Sequence, residues 1–185
     1  MRTFVCIEIS DAIRRKMSQV SGTLSLSGAE VRWVEPQNIH LTLKFLGEVP
    51  EALIAEACKQ IKSAVAGAQP FTFSVEGLGT FPPAGNPRVV WCGLKEESGA
   101  LEKLHSELNS ALRDYAQKED RKKFSPHLTI GRVRGPENAG RLRAAIEKNR
   151  KTHFGVQEAG ELLLMMSELS PQGPTYTPLG RWPLR

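Results

Sequence analysis

A chain of 185 residues with 40% hydrophobic content can bury a sizeable core, as one compact domain or two small lobes. No run approaches the roughly 18 uninterrupted apolar residues of a membrane span. The opening MRTFVCIEIS is broken by Glu8 and is too short for a secretory signal. The formal charge of +5 and pI near 9.3 are moderate. Basic residues gather in the second half, at Arg121–Lys123, at Arg132 and Arg134, and from Arg141 to Lys151. Such a surface attracts a polyanion such as RNA; equally, it reads as solvated helix and loop charge.

In chain order, RTFVCIEI reads as a first strand, and residues from Asp11 to Leu26 read as a helix with Ser10 or Asp11 as cap. VRWV is a short extended piece stopped by Pro36. IHLTLKFLGEV is the clearest strand: simple alternation puts Leu41, Leu43 and Phe45 on one face and His40, Thr42 and Lys44 on the other. A helix from Pro50 to Ala66 follows, with the proline suited to its first turn. FTFSVEGLGTF and RVVWCGL are strands joined by the Gly/Pro-rich PPAGNP. Residues 99–117 carry a helical stripe through Leu101, Leu104, Leu108, Leu112 and Tyr115. SPHLTIGRVR is a strand and Pro136 to Arg150 a helix, and three strands close the chain around HFGV, ELLLMMSEL and TYTPLGRWPL.

Strands that follow one another through short loops, with no Gly-rich strand-to-helix turn, argue against a doubly wound parallel sheet. The pattern predicts an α+β fold of two pseudo-symmetric lobes, each with a mainly antiparallel sheet, flanking helices and one copy of a short repeat. No linker divides residues 1–185, so the lobes are read as a single bilobal domain with a cleft between them.

The repeat is His40-Leu41-Thr42-Leu43 and His127-Leu128-Thr129-Ile130. With a side-chain period of two, His and Thr share a face while the apolar neighbours anchor each strand in the core. Two imidazoles and two hydroxyls converging on one cleft suit a phosphate ester. Imidazoles with a reference pKa near 6.5 divide proton removal from proton delivery, and hydroxyls donate to non-bridging oxygens. No metal is called for, as there is no His-x-His and no carboxylate beside either motif histidine. His105 and His153 read as packing or surface residues. Trp33, Trp91 and Trp182 read as core or rim, and Tyr176 as either a cleft wall or a contact between lobes.

With its flanks, RWVEPQNIHLTLKFLGEV, GLGTFPPAGNPRVVWCGL, FSPHLTIGRV and MMSELSPQGPTYTPLGRWPL, the chain resembles the two-histidine phosphoesterases from about Arg2 to Leu184. Within them it is similar to the bacterial and archaeal RNA 2′,3′-cyclic phosphodiesterases, also called 2′-5′ RNA ligases (ThpR/LigT type). The resemblance implies His40 as proton donor to the O3′ leaving group and His127 as proton acceptor from water. It implies Thr42 and Thr129 as phosphate-oxygen donors, with Arg132 and Phe4 at the substrate. On a regular strand Arg132 faces away from His127 unless Gly131 relaxes the backbone, and Phe4 reads equally as core. The implied substrate is an RNA or nucleotide 2′,3′-cyclic phosphate opened to a 2′-phosphomonoester, with 2′-5′ ligation when an RNA 5′-hydroxyl replaces water. No cofactor and no membrane are implied, and the protein is expected to be a cytoplasmic monomer. Three cysteines without a CxxC pair suit that reducing compartment. The alternative is a nucleotide- or RNA-binding module with little catalysis.

Overall fold

The computed structural model describes residues 1–116, 124–171 and 173–185; Arg121, Lys122, Lys123 and the expected helix end at Gln117 lie outside the described residues. The elements run β1 (Arg2–Glu8), α1 (Asp11–Ser25), β2 (Val31–Trp33), β3 (His40–Glu48), α2 (Glu51–Ala64), β4 (Phe71–Phe81), β5 (Val89–Lys95), α3 (Ala100–Ala111), β6 (His127–Val133), α4 (Ala139–Lys148), β7 (His153–Ala159), β8 (Glu161–Ser170) and β9 (Gly173–Pro183). Short 3₁₀ turns at Pro36–Asn38 and Arg113–Tyr115 complete them. The helical stripe expected to run unbroken through Tyr115 stops at Ala111, and Tyr115 falls in the second of these turns.

All strand pairs are antiparallel. One sheet has the order β3-β1-β8-β9 and the other β2-β6-β5-β4-β7. The fold is therefore α+β, and each sheet holds one His-x-Thr strand. A single apolar core runs from one sheet to the other. It joins Val5, Ile7, Leu41 and Leu43 of the first sheet to Phe73, Val90, Leu128 and Ile130 of the second through Ile13 and Met17 of α1 and Leu104 and Leu108 of α3. The helical residues fall at spacings of four, as an amphipathic face requires.

Polar ties lock the sheets together at their ends. Gln157 of β7 donates to the Glu8 carbonyl at 2.9 Å and accepts from the Ser10 amide at 2.9 Å. The Val34 amide, just past β2, donates to the carbonyl of Ile130 in β6 at 2.9 Å. That bond fixes the start of the segment leading to His40 against the second motif. Arg143 of α4, one of the basic residues of the second half, donates to the carbonyls of Pro83 and Gly85 and so pins the loop after Phe81. Its charge is used in the fold.

A second, smaller cluster lies on the other face of the first sheet: Phe4, Cys6, Leu163 and Met165, with Tyr176 packed against it. This face carries His40.

Candidate active site

The first motif is aimed by a one-residue irregularity in β3. Opposite β1, Cys6 faces Thr42 and Val5 faces Lys44, so Leu43 is an extra residue, a bulge. Directly opposed residues share a face, which puts Thr42 with Cys6, and Phe45, paired to Phe4, on that same side. Simple alternation expects Phe45 in the core and Lys44 beside His40; the bulge reverses both. Phe45 is 44% exposed, with the Arg2 guanidinium 5.0 Å above its ring. Lys44 is 2% exposed, its ammonium donating to Asn109 Oδ1 of α3.

The second motif repeats the device. Opposite β5, Trp91 faces Thr129 and Val90 faces Gly131, leaving Ile130 as the extra residue. Arg132, opposite Val89, thereby returns to the face of His127 and Thr129. The sequence pattern looks to Gly131 for that turn; the irregularity sits one residue earlier. Phe45 and Arg132 stand at the same offset, five residues after their histidines. The repeat is longer than four letters, and this is the signal that finds Phe45.

Both imidazoles are held the same way. His40 Nδ1 lies 2.8 Å from the Asn38 carbonyl and His127 Nδ1 lies 2.7 Å from the Ser125 carbonyl. A carbonyl only accepts, so Nδ1 carries the proton in each neutral ring and Nε2 carries the lone pair. Neither Thr42 nor Thr129 uses its hydroxyl in a hydrogen bond among the described residues.

The surroundings differ. His40 stacks on Phe4 at 4.5 Å and meets the edge of Tyr176 at 5.2 Å, and those two rings touch each other at 5.0 Å. Phe4, expected at the substrate, is 3% exposed, so it supports the imidazole from below. Burial pulls the His40 pKa down from 6.5 to about 4; the bond to the Asn38 carbonyl opposes this, and the Arg14 charge adds to it. His127 has one aromatic neighbour, Phe81 at 5.1 Å, which leans on Trp91 at 5.3 Å. Gly79 makes room for that indole, since a Cβ there would collide with it.

The two motif strands, β3 and β6, lie against each other. Burial raises the pKa of the Tyr176 phenol, while the charges of Arg132 and Arg2 lower it. Arg132 of the second sheet thus acts on a ring that touches His40 of the first. Tyr176, left open by the sequence pattern between cleft wall and lobe contact, touches His40 itself. Its partners are 136 and 172 residues away in the chain, beyond any local pattern. His105 stacks on Phe124 at 3.8 Å and His153 lies 3.5 Å from Glu76. Among the described residues no three His, Cys, Asp or Glu side chains are grouped to hold a metal, and no helix is long and apolar enough to cross a membrane.

Known proteins resemble this chain over nearly its whole length. An Archaeoglobus fulgidus protein named RNA 2′,3′-cyclic phosphodiesterase is 41% identical over 182 residues, 97% of this chain and 98% of its own. One of the same name from Methanothermobacter thermautotrophicus is 34% identical over 177 residues, 96% of this chain and 95% of its own. A solved structure from Thermus thermophilus superposes with a TM-score of 0.82 at 27% identity, covering 100% of this chain and 98% of that one. E. coli LigT complexed with 3′-AMP superposes at 0.74 with 28% identity, over 99% of this chain and 97% of its own. The family model for the 2′-5′ RNA ligase superfamily matches residues 11–160, and the chain belongs to that superfamily.

Proposed function

We propose that this protein is a metal-independent RNA 2′,3′-cyclic phosphodiesterase that opens the cyclic phosphate to a 2′-phosphomonoester by paired imidazole catalysis. The observation that carries it is the matched presentation of two Nε2 atoms, each ring fixed by a carbonyl two residues upstream, from two bulged strands that lie against each other. A binding module has no use for two such nitrogens. The relatives named for this activity support the same reading.

In the proposed reaction, His127 Nε2 takes a proton from water as its oxygen attacks phosphorus. His40 Nε2–H gives a proton to O3′ as the P–O3′ bond breaks. The Thr42 and Thr129 hydroxyls donate to the non-bridging oxygens, and Arg132 neutralises the charge that gathers there. Phe45, exposed on the face of His40, offers a platform for the terminal base. Run with an RNA 5′-hydroxyl instead of water, the site forms a 2′-5′ linkage. Three free cysteines, two of them buried, favour action in a reducing cytoplasm, by a chain we take to be a monomer.

One observation weighs on the division of roles. With a pKa of about 4, His40 is uncharged in the free protein at neutral pH, as a proton acceptor is. A cyclic phosphate bound against Nε2 brings a negative charge that favours the imidazolium. On our assignment the substrate itself therefore calls up the proton that His40 donates. The reverse assignment, His40 as acceptor, needs no such step.

The activity is tested by incubating the protein with a 2′,3′-cyclic-phosphate-ended oligonucleotide in millimolar EDTA and identifying the new end. Formation of a 2′-phosphomonoester supports the reading; no turnover, or turnover restored only by a particular metal, ends it. The roles are tested with a substrate whose bridging O3′ is sulfur, a leaving group that scarcely needs a proton. His40→Ala then recovers most of its rate and His127→Ala stays slow; recovery of His127→Ala instead reverses the roles.

A further inference from the structure

Arg32 and Arg132 are cross-strand partners in β2 and β6. Opposed residues share a face, with Cα atoms about 5 Å apart, so Arg32 lies on the side that bears His127 and Thr129. Like charges placed directly opposite destabilise a strand pair. Neither guanidinium has a hydrogen bond or ion pair among the described residues to offset this. Arg143 bonds to carbonyls, Arg150 to Glu147, Arg181 to Glu161 and Arg14 to the Ile39 carbonyl. An uncompensated pair on the reactive face calls for two anionic groups side by side.

The position of Arg32 says which anion it meets. A Cβ at Gly173, where φ is +133°, would lie 3.5 Å from Arg32 Nη2, so the guanidinium rests against the start of β9. The next residue, Pro174, accepts a hydrogen bond at 3.0 Å from the side chain of Asn38, whose own carbonyl holds His40. The charge of Arg132 acts on Tyr176, and Arg32 stands one strand further out on the edge of the sheet. A chain that places its terminal phosphate at Arg132 and leaves the cleft over β2 carries its next phosphate to Arg32.

We propose that Arg32 binds the phosphodiester immediately 5′ of the terminal nucleotide, and so makes the protein prefer polynucleotide ends to mononucleotide cyclic phosphates. This rests on the phosphodiesterase reading above. A mononucleotide lacks that phosphate, so Arg32 contributes to oligonucleotides alone.

The experiment compares adenosine 2′,3′-cyclic monophosphate with a short oligonucleotide ending in the same cyclic nucleotide, for the intact protein, Arg32→Ala and Arg32→Lys, at about 50 to 200 mM salt. For Arg32→Ala, KM for the oligonucleotide rises about tenfold or more, while mononucleotide hydrolysis is unchanged. The log–log salt slope of kcat/KM for the oligonucleotide shrinks by about 0.7, one single-strand phosphate contact. Arg32→Lys keeps the salt slope and recovers part of the affinity. Equal losses on both substrates, or no loss on either, overturn the proposal while leaving the phosphodiesterase reading intact. Failure of the intact protein on both substrates overturns that reading itself.

Discussion

The two motif strands have nearly the same backbone and different company. Each begins with a histidine whose Nδ1 is tied to a carbonyl two residues back, and each bulges one residue after its threonine. Yet His40 sits in an aromatic box of Phe4 and Tyr176, and its pKa falls to about 4, whereas His127 has one edge-on ring and Arg132 on its own strand. Geometry is duplicated and electrostatics are individual. A repeated motif supplies two equivalent nitrogens, and the neighbouring strands decide how each is used.

The largest effects should come from the nitrogens themselves. His40→Ala and His127→Ala are each expected to lower turnover of the cyclic phosphate by about 10²-fold or more. The double variant should lose far less than the product of the two, because both groups act on one transition state. Steady-state rates on folded variants check this. Near-normal hydrolysis by either single variant would break the comparison at its root.

Next come the residues that the bulges bring round. Arg132→Ala is expected to cost about 10²-fold in kcat/KM, the scale of losing one donor to a charged transition state. Phe45→Ala is expected to cost about tenfold, the scale of one base stacked on an aromatic ring. The loss for Phe45→Ala should fall on KM and vary with the terminal base, and the loss for Arg132→Ala should not vary with it. Rates on four oligonucleotides differing in their last base separate the two.

These two positions also mark what the sequence reveals and what it hides. The helices and most strands follow from local periodicity, and the paired His-x-Thr motifs survive because a strand holds positions n and n+2 on one face. The bulges leave no such trace. Leu43 and Ile130 are ordinary β-formers, and only their register against β1 and β5 makes them extra residues. That is why simple alternation places Phe45 in the core and Lys44 beside His40. The box around His40 is hidden for a related reason: Phe4 and Tyr176 reach it from β1 and β9, and neither sequence segment hints at the other.

The smallest effects sharpen the electrostatic half of the comparison. The His40 ring signal in NMR should titrate near pH 4, and Phe4→Ala should move it upward by opening the box to water. Stability should follow. A base whose folded pKa lies below its unfolded value binds fewer protons when folded, so its contribution is full above about pH 6.5 and is lost as pH falls toward about 4. Across that window the intact protein should lose stability relative to His40→Gln, as measured by urea unfolding at several pH values. Parallel pH dependences would show that the box is wet.

The bulges have a further consequence for topology. Three side chains wanted on one face at n, n+2 and n+5 contain an odd step, and a regular strand admits only even ones. The parity must be broken once, by an extra residue that the neighbouring strand tolerates. Antiparallel ladders accept such an insertion readily and parallel ones rarely. β1 and β5 are antiparallel to their motif strands, and each takes up the inserted residue at the same place. A doubly wound parallel sheet displaying the same repeat would keep the histidines and threonines together and turn Phe45 and Arg132 to its other side.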